Sequence, residues 1–287
     1  MITQFSHEVF SSFYLWFEGQ LTSSGAKAYS TNQSNSFTYA DFDDIPNSHQ
    51  GYQGNFRGIV SDHNIDIPNS GIFINGGFVT GSNPDVYIDY LNGRVILPAA
   101  SGSSLNITAN NTVKEIQIYP TEDDEEQLII SSDFVDSCDV NSTYLSAKNE
   151  NLNQKTYILP ACFLRYVKTE NESFSLGGED DSKTRIRATV LAKDNYTIDG
   201  LLSLFADKER TCIKHIPFED DPYGQYNSLK SFPYSYSEYI SGYTKSSYID
   251  NVNTSKLDYS ISMNKMEKNL LIGFIDFDLS TLRFPRG

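Results

Sequence analysis

The sequence predicts a β-rich α+β protein. Tyr (19) and Phe (18) are abundant among the 287 residues, and short apolar runs alternate with turn-forming residues. Asn-Gly pairs at 75–76 and 92–93 are strong hairpin signals. Two stretches instead repeat apolar residues with helical spacing. A chain of this length can bury the core of one large domain or of two ordinary ones.

The first helix is predicted over residues 6–21, within an N-terminal segment 1–30. Ser6 is a suitable N-cap, and Trp16 lies beside a broad apolar face. That face comprises Val9, Phe10, Phe13, Tyr14, Phe17 and Leu21. So wide a face needs a broad partner, and we expect the helix to pack on the C-terminal half of the chain.

Residues 31–135 are predicted to form a β-rich domain. The polar stretch 22–70 indicates a long loop with one or two short strands. The strands of 71–119 are short and regularly spaced, as in a small β-sandwich or barrel. The acidic run 122–126 is expected to be a solvated loop.

Residues 136–287 are predicted to form an α+β domain. Strand 184–193 alternates polar and apolar residues, and helix 197–209 follows with Thr197 as its N-cap. The helical stripe comprises Ile198, Leu201, Leu202 and Phe205. The final strand, 271–279, places Asp276 and Asp278 on one wet face.

Charge and composition exclude several classes of function. The net charge is −15, and the basic patches that a sequence-independent DNA-binding surface needs do not occur. The three cysteines are isolated, which favours free thiols in a reducing compartment. No signal peptide and no apolar run long enough for a bilayer is evident, so no membrane partner is expected.

The sequence contains no recognisable catalytic signature. GxSxG, HExxH, Walker-loop and GxGxxG patterns do not occur. Carboxylates cluster at 41–44, 179–181 and 219–221, but sequence alone cannot oppose two of them across a cleft. We therefore predict no catalytic residue, no cofactor and no metal site.

Several segments together carry a family resemblance. They are Leu15-Trp16-Phe17, the β stretches 71–76 and 88–96, the segments 174–179, Arg185-Ile-Arg187 and 198–207, and the closing segment 273–279. The combination resembles a group of poorly characterised virion structural proteins of tailed bacteriophages. The helix–sheet half is similar to tail-terminator or neck proteins, which form rings where head meets tail.

The resemblance implies a helix-on-sheet, tail-terminator-like core with an added β domain. It also implies a non-enzymatic virion protein assembled in the host cytoplasm. The partners would be other copies in a ring and neighbouring neck, tail-tube or sheath proteins, with DNA only in transit through the channel. Two alternatives are a baseplate or tail-tip component and a surface carbohydrate-binding module; an enzyme acting on host glycans is a third.

The negative charge of the chain restricts how copies of it can meet. Subunit contacts must come from aromatic surface or from arginines that face acidic loops. The predicted interface residues are therefore Trp16, Arg165, Arg185 and Arg187. The acidic runs 122–126, 179–181 and 219–221 would face the channel or the outer solvent.

Overall fold

The computed structural model shows a β-rich α+β fold, as the sequence predicts. It describes residues 5–23, 25–65, 71–81, 83–99, 105–136, 155–174, 178–257 and 270–284. The predicted domain boundary at 136 adjoins residues outside this set. The described helices longer than one turn are α1 (Phe5–Thr22), α2 (Glu125–Ser131) and α3 (Asn195–Ala206).

The strands of the described residues, in chain order, are β1 (Tyr29–Ala40), β2 (His49–Gly54), β3 (Gly71–Ile74), β4 (Gly77–Thr80), β5 (Tyr87–Asp89), β6 (Arg94–Pro98), β7 (Ile107–Lys114), β8 (Gln117–Pro120), β9 (Ser132–Asp136), β10 (Lys155–Leu159), β11 (Ala161–Ser173), β12 (Asp180–Ala192), β13 (Cys212–Lys214), β14 (Ser246–Lys256) and β15 (Leu271–Arg283). Within that part of the chain they form a seven-stranded sheet, a six-stranded sheet and a two-stranded sheet.

The seven-stranded sheet has the order β4-β3-β7-β1-β2-β6-β5, with antiparallel neighbours. Its β3–β4 hairpin turns at Asn75 and Gly76, both at positive φ, as the Asn-Gly signal predicts. Its core includes Phe37, Tyr52 and Val95.

The prediction of a long loop at 22–70 was wrong, because this range contains strands β1 and β2. Strand β1 is twelve residues long and pairs with β7 on one side and β2 on the other. Its sequence is polar because most of its side chains are not buried, and Asn35 is buried where an apolar residue would be expected. Tertiary pairing overrides the weak local propensity here.

The six-stranded sheet has the order β13-β14-β15-β12-β11-β8. The strand predicted at 184–193 corresponds to β12, which begins earlier, at Asp180, and ends at Ala192. The strand predicted at 271–279 is part of β15, which continues to Arg283 and pairs with both β12 and β14. Strand β8, from the predicted 31–135 range, pairs with β11 and so belongs to this sheet.

Helix α1 is buried along most of its length and packs on this sheet. Phe17 stacks on Phe205 of α3 at 4.2 Å between ring centroids, and Phe13 meets Phe277 of β15 edge-on at 4.9 Å. Trp16 lies in the same cluster, in contact with Phe205 and Phe277. Aromatic pairs of this kind add to the free energy of area burial.

The side of α1 that faces β7 carries a buried ion pair. The Glu18 carboxylate meets the Lys114 ammonium, and both side chains are less than a tenth exposed. The Tyr223 hydroxyl donates to Glu18 at 3.3 Å and also bonds to Ser61 Oγ at 2.7 Å. Each charge needs the other, because an unpaired buried charge would be strongly destabilising.

The bounds of α3 correct the prediction of 197–209. The N-cap is Asp194, and its carboxylate accepts both the backbone N–H and the hydroxyl of Thr197. Thr197 is thus the residue that is capped, and the helix ends at Ala206. The predicted stripe is confirmed, with Ile198, Leu201, Leu202 and Phe205 all buried.

The acidic run 122–126 is only in part the solvated loop that was expected. Asp124 caps α2 through a capping box with Gln127. The helix carries Leu128 into a small third core with Phe163, Leu191 and Ile272, on the face of the six-stranded sheet opposite α1.

A buried polar network fixes the N-terminal half of α1 to the edge of the same sheet. His215 Nε2 lies 2.6 Å from Ser247 Oγ, which also bonds to the Thr281 hydroxyl. The Ile216 N–H donates to Ser12 Oγ at 2.9 Å. Burial, with a smaller effect of Lys245, lowers the pKa of His215 to about 4. The imidazole is therefore neutral at pH 7.

The first prediction concerns the aromatic core. Phe205 is fully buried, so Phe205→Ala should lower the free energy of unfolding by about 3–5 kcal/mol. Urea unfolding measures the loss. Phe218→Ala is the control, because Phe218 is 58% exposed and its removal should cost under about 1 kcal/mol. Equal losses in the two variants would contradict the core assignment.

The second prediction concerns pH. The unfolded chain protonates His215 near pH 6.5, while the folded chain holds it neutral down to about pH 4. Stability from this group is thus present above pH 6.5 and lost as pH falls towards 4, by up to about 3 kcal/mol. Chemical denaturation at several pH values should show a shallower dependence for His215→Gln. His7→Gln, at an exposed site, should follow the parent chain; identical curves for all three would exclude the effect.

Candidate interaction face

The face of the six-stranded sheet opposite α1 is partly open to solvent. Near α2 it is covered by the small third core, and beyond that core it carries charged side chains at alternate positions of its strands. Strand β12 contributes Arg185 and Arg187, and the neighbouring β15 contributes Asp276 and Asp278. The strand alternation predicted for β15 therefore does place both aspartates on one face.

Arg187 occupies the centre of this arrangement. Its guanidinium donates to both oxygens of Asp276, at 2.6 and 3.0 Å, and to Glu125 of α2 at 2.8 Å. It also lies over the ring of Phe274, 5.7 Å from the centroid. Arg165 Nη1 approaches the other oxygen of Glu125, at 3.9 Å. Two-oxygen contacts fix a guanidinium in one orientation.

Further ion pairs extend the pattern along the strands. Arg185 Nε donates to Asp278 at 2.7 Å, while Lys183 meets Glu172 and Lys168 meets Glu170, each at 2.8 Å. We call this surface the charged face; it comprises Glu125, Arg165, Lys168, Glu170, Glu172, Lys183, Arg185, Arg187, Asp276 and Asp278.

The ion pairs shift the protonation equilibria of their members. Hydrogen bonding and charge from Asp278 raise the pKa of Arg185, and hydrogen bonds with Asp276 and Glu125 raise that of Arg187. Burial alone would raise the pKa of Glu125, but Arg187 and Arg165 together lower it. Arg185, Arg187 and Glu125 are therefore charged at neutral pH. Because its side chains are partly exposed, each pair adds little to stability.

Strand β11 borders the charged face with an open edge. Strand β8 pairs only with Ala161–Leu164 of β11. Beyond that point β11 continues from Arg165 to Ser173 beside β12, and most side chains of this stretch are exposed. In the described part of the chain no strand pairs with the far side of this stretch. Such an edge offers backbone N–H and C=O groups to another strand.

The structure brings three of the four predicted interface residues together. Arg165, Arg185 and Arg187 lie on the charged face, where carboxylates of the same chain already bind them. The prediction that Trp16 is an interface residue needs correction. Trp16 is 2% exposed and lies in the aromatic core on the other side of the sheet. The helix needs its tryptophan to fill that core, so Trp16 presents no surface to a partner. An interface role for the arginines stays a prediction.

Sequence reasoning did not identify the carboxylates that meet these arginines. Asp276 follows Arg187 by 89 positions and Glu125 precedes it by 62, so no local spacing joins them. The sequence did carry one signal for the Asp276 and Asp278 contacts. The predicted strands 184–193 and 271–279 carry opposite charges at alternate positions, and such charges attract when two strands pair. The acidic run 122–126, expected to avoid contacts, supplies Glu125 to the charged face.

Other chemical groups of the described residues are placed as follows. No group of three or more His, Cys, Asp or Glu in these ranges is arranged to hold a metal ion. Cys162 is buried, which raises its pKa to about 12, and Cys212 is exposed; Cys138 lies outside the described residues. None of the described helices is both long and apolar enough to cross a bilayer.

Comparison with known proteins gave no relative from which a function could be carried over. A scan against protein-family models and a search of curated proteins both returned no match to this chain.

Proposed function

We propose that this chain is a structural subunit of a tailed-bacteriophage particle. It forms a ring with other copies of itself at the neck or the head-proximal end of the tail, and it carries out no catalysis. The sequence resemblance motivates this proposal. The arrangement of α1 and α3 on the six-stranded sheet is compatible with a tail-terminator-like core, and the seven-stranded sheet would be the added β domain.

The observation that carries the proposal is the open edge of β11 beside the charged face. A neighbouring subunit that adds a strand along Arg165–Ser173 would gain backbone hydrogen bonds. Its side chains would then lie next to ordered rows of both charges. The edge supplies affinity, and the charge pattern fixes the register and rejects unsuitable partners.

The net charge explains why such contacts need ordered ion pairs. At −15 per chain, copies in a ring repel one another. Arginines held rigidly by Asp276 and Asp278 lose little side-chain freedom when a partner carboxylate approaches. The same acidity suits a channel through which DNA passes without binding. Neck, tail-tube or sheath proteins would be the neighbours of the ring.

A second candidate function rests on a different surface. Phe73 and Phe78 pack together on the β3–β4 hairpin, at 5.2 Å between centroids, and are 39% and 51% exposed. Exposed aromatic rings on a polar sheet are also used to stack on sugars, which favours a carbohydrate-binding module. A baseplate or tail-tip subunit would use the same β11 edge, and only its place in the particle would differ.

The third prediction tests assembly. Light scattering across a salt series, with and without candidate neck and tail proteins, should show association with a partner or at higher ionic strength. Repulsion between copies weakens there because the screening length shrinks from about 10 Å at 0.1 M to about 3 Å at 1 M. The double variant Arg185→Asp with Asp278→Arg keeps the ion pair and the net charge but reverses the pattern that a partner meets. It should fold and fail to assemble.

The matched control reverses an ion pair on the other side of the sheet. Lys256 of β14 meets Asp199 of α3, so Lys256→Asp with Asp199→Lys should assemble like the parent chain. A parent chain that stays monomeric at every salt concentration and with every virion partner would refute the proposal, as would tight binding of duplex DNA at physiological salt. Sugar binding lost in Phe78→Ala would favour the second candidate.

A further inference from the structure

A small cavity lies between α1, the end of β7 and the segment 221–227. Its volume is about 220 Å³. An apolar cavity of about 150 Å³ can hold benzene, whereas sites for drug-sized ligands span about 300–1,000 Å³. The cavity therefore has room for one group of the size of an amino-acid side chain.

Four aromatic residues line this cavity. Phe10 and Tyr14 come from α1, Tyr90 follows β5, and Tyr223 comes from the segment after β13. The face of an aromatic ring carries partial negative charge and attracts cations. Walls of this composition favour a cationic group over an anion of the same size.

Of the two described charged residues that line the cavity, Lys114 is paired with an opposite charge and Asp221 is not bonded to one. Lys114 lines it, but its ammonium is bound to Glu18. Asp221 also lines it, and Oδ1 accepts the Tyr223 N–H at 2.8 Å. The charge of Lys230 lowers the pKa of Asp221, but its ammonium donates to the Glu219 carbonyl at 3.1 Å and not to the carboxylate. The Asp221 carboxylate thus lies in an aromatic wall without a cation bonded to it in the described contacts.

The neighbouring phenols respond to this negative potential. Burial is the main reason that the pKa values of Tyr14 and Tyr223 are raised, and the charge of Glu18 raises both further. Asp221 itself contributes to the shift at Tyr14. Burial also raises the pKa of Asp221. The two phenols are therefore neutral at pH 7, and the group that a bound cation would stabilise is the partly buried Asp221 carboxylate.

We propose that this cavity binds a single organic cation, an alkylammonium or guanidinium group, between the aromatic rings and Asp221. The cation belongs either to a free small amine or to a lysine or arginine side chain of another protein. This site is separate from the charged face and does not depend on the proposed assembly role.

The test compares two probes of matched shape on the full chain. Choline and 3,3-dimethylbutan-1-ol have the same size, but only choline is charged. Ligand-observed NMR titration should show choline binding at least about tenfold more tightly, since cation–π attraction and the carboxylate both require charge. Equal affinity for both probes, or binding of neither at millimolar concentration, would overturn the proposal.

Variants then assign the effect to this cavity. Asp221→Asn keeps the acceptor for the Tyr223 N–H and removes the charge, so choline should bind about tenfold more weakly. Asp220→Asn removes the same charge from the exposed neighbouring residue and should bind like the parent. Equal weakening in both variants would mean that choline responds to net charge alone, and the site would be rejected.

Three peptide probes separate the sources of the cation. Capped tripeptides with a central lysine, arginine or norleucine present the side chain as a protein would. Tighter binding of the lysine or arginine peptide than of choline identifies a protein side chain as the ligand. Tighter binding of choline identifies a free amine. A norleucine peptide that binds as well as the charged ones would contradict recognition of a cation.

Discussion

The structure depends on burying helix α1 on two sides, one through aromatic contacts and the other through an ion pair. One side of the helix delivers Phe13, Trp16 and Phe17 to the six-stranded sheet, where each buried aromatic side chain contributes about 1.5–3 kcal/mol. The other side carries Glu18, which must meet Lys114 of β7 because an isolated buried carboxylate is not tolerated. The helix therefore couples the two sheets. The short connection between β7 and β8, which crosses from one sheet to the other, reinforces that coupling.

Strongly periodic segments could be predicted from the sequence, and weakly periodic ones could not. The stripes of α1 and α3 and the alternation of β12 and β15 follow from one buried face each. Strand β1 lacks such a pattern because its partners β2 and β7 hold it by backbone pairing. The cap of α3 was placed too late because the Asp194 side chain, three positions before Thr197, accepts the Thr197 N–H and so starts the helix earlier.

The candidate sites show the same limit at the level of side chains. The arginines of β12 could be expected at the surface from strand alternation, but their carboxylate partners come from distant segments. Trp16 was assigned to an interface because helical spacing alone does not show that α3 and the six-stranded sheet both pack against α1. The aromatic cavity joins α1, Tyr90 and Asp221, which share no spacing in the chain. Such constellations become visible only when the fold brings their elements together.

The strand order of the six-stranded sheet has a consequence for biosynthesis. Strand β15, the last of the described strands, lies in the interior of the sheet between β14 and β12. Helix α1 leaves the ribosome long before Phe277, which its aromatic face contacts. Until then the apolar face of the helix and the open side of β12 stay unprotected on a nascent chain. Contacts so distant in sequence also make folding slow. The nascent chain should therefore depend on a holding chaperone until β15 has been synthesised.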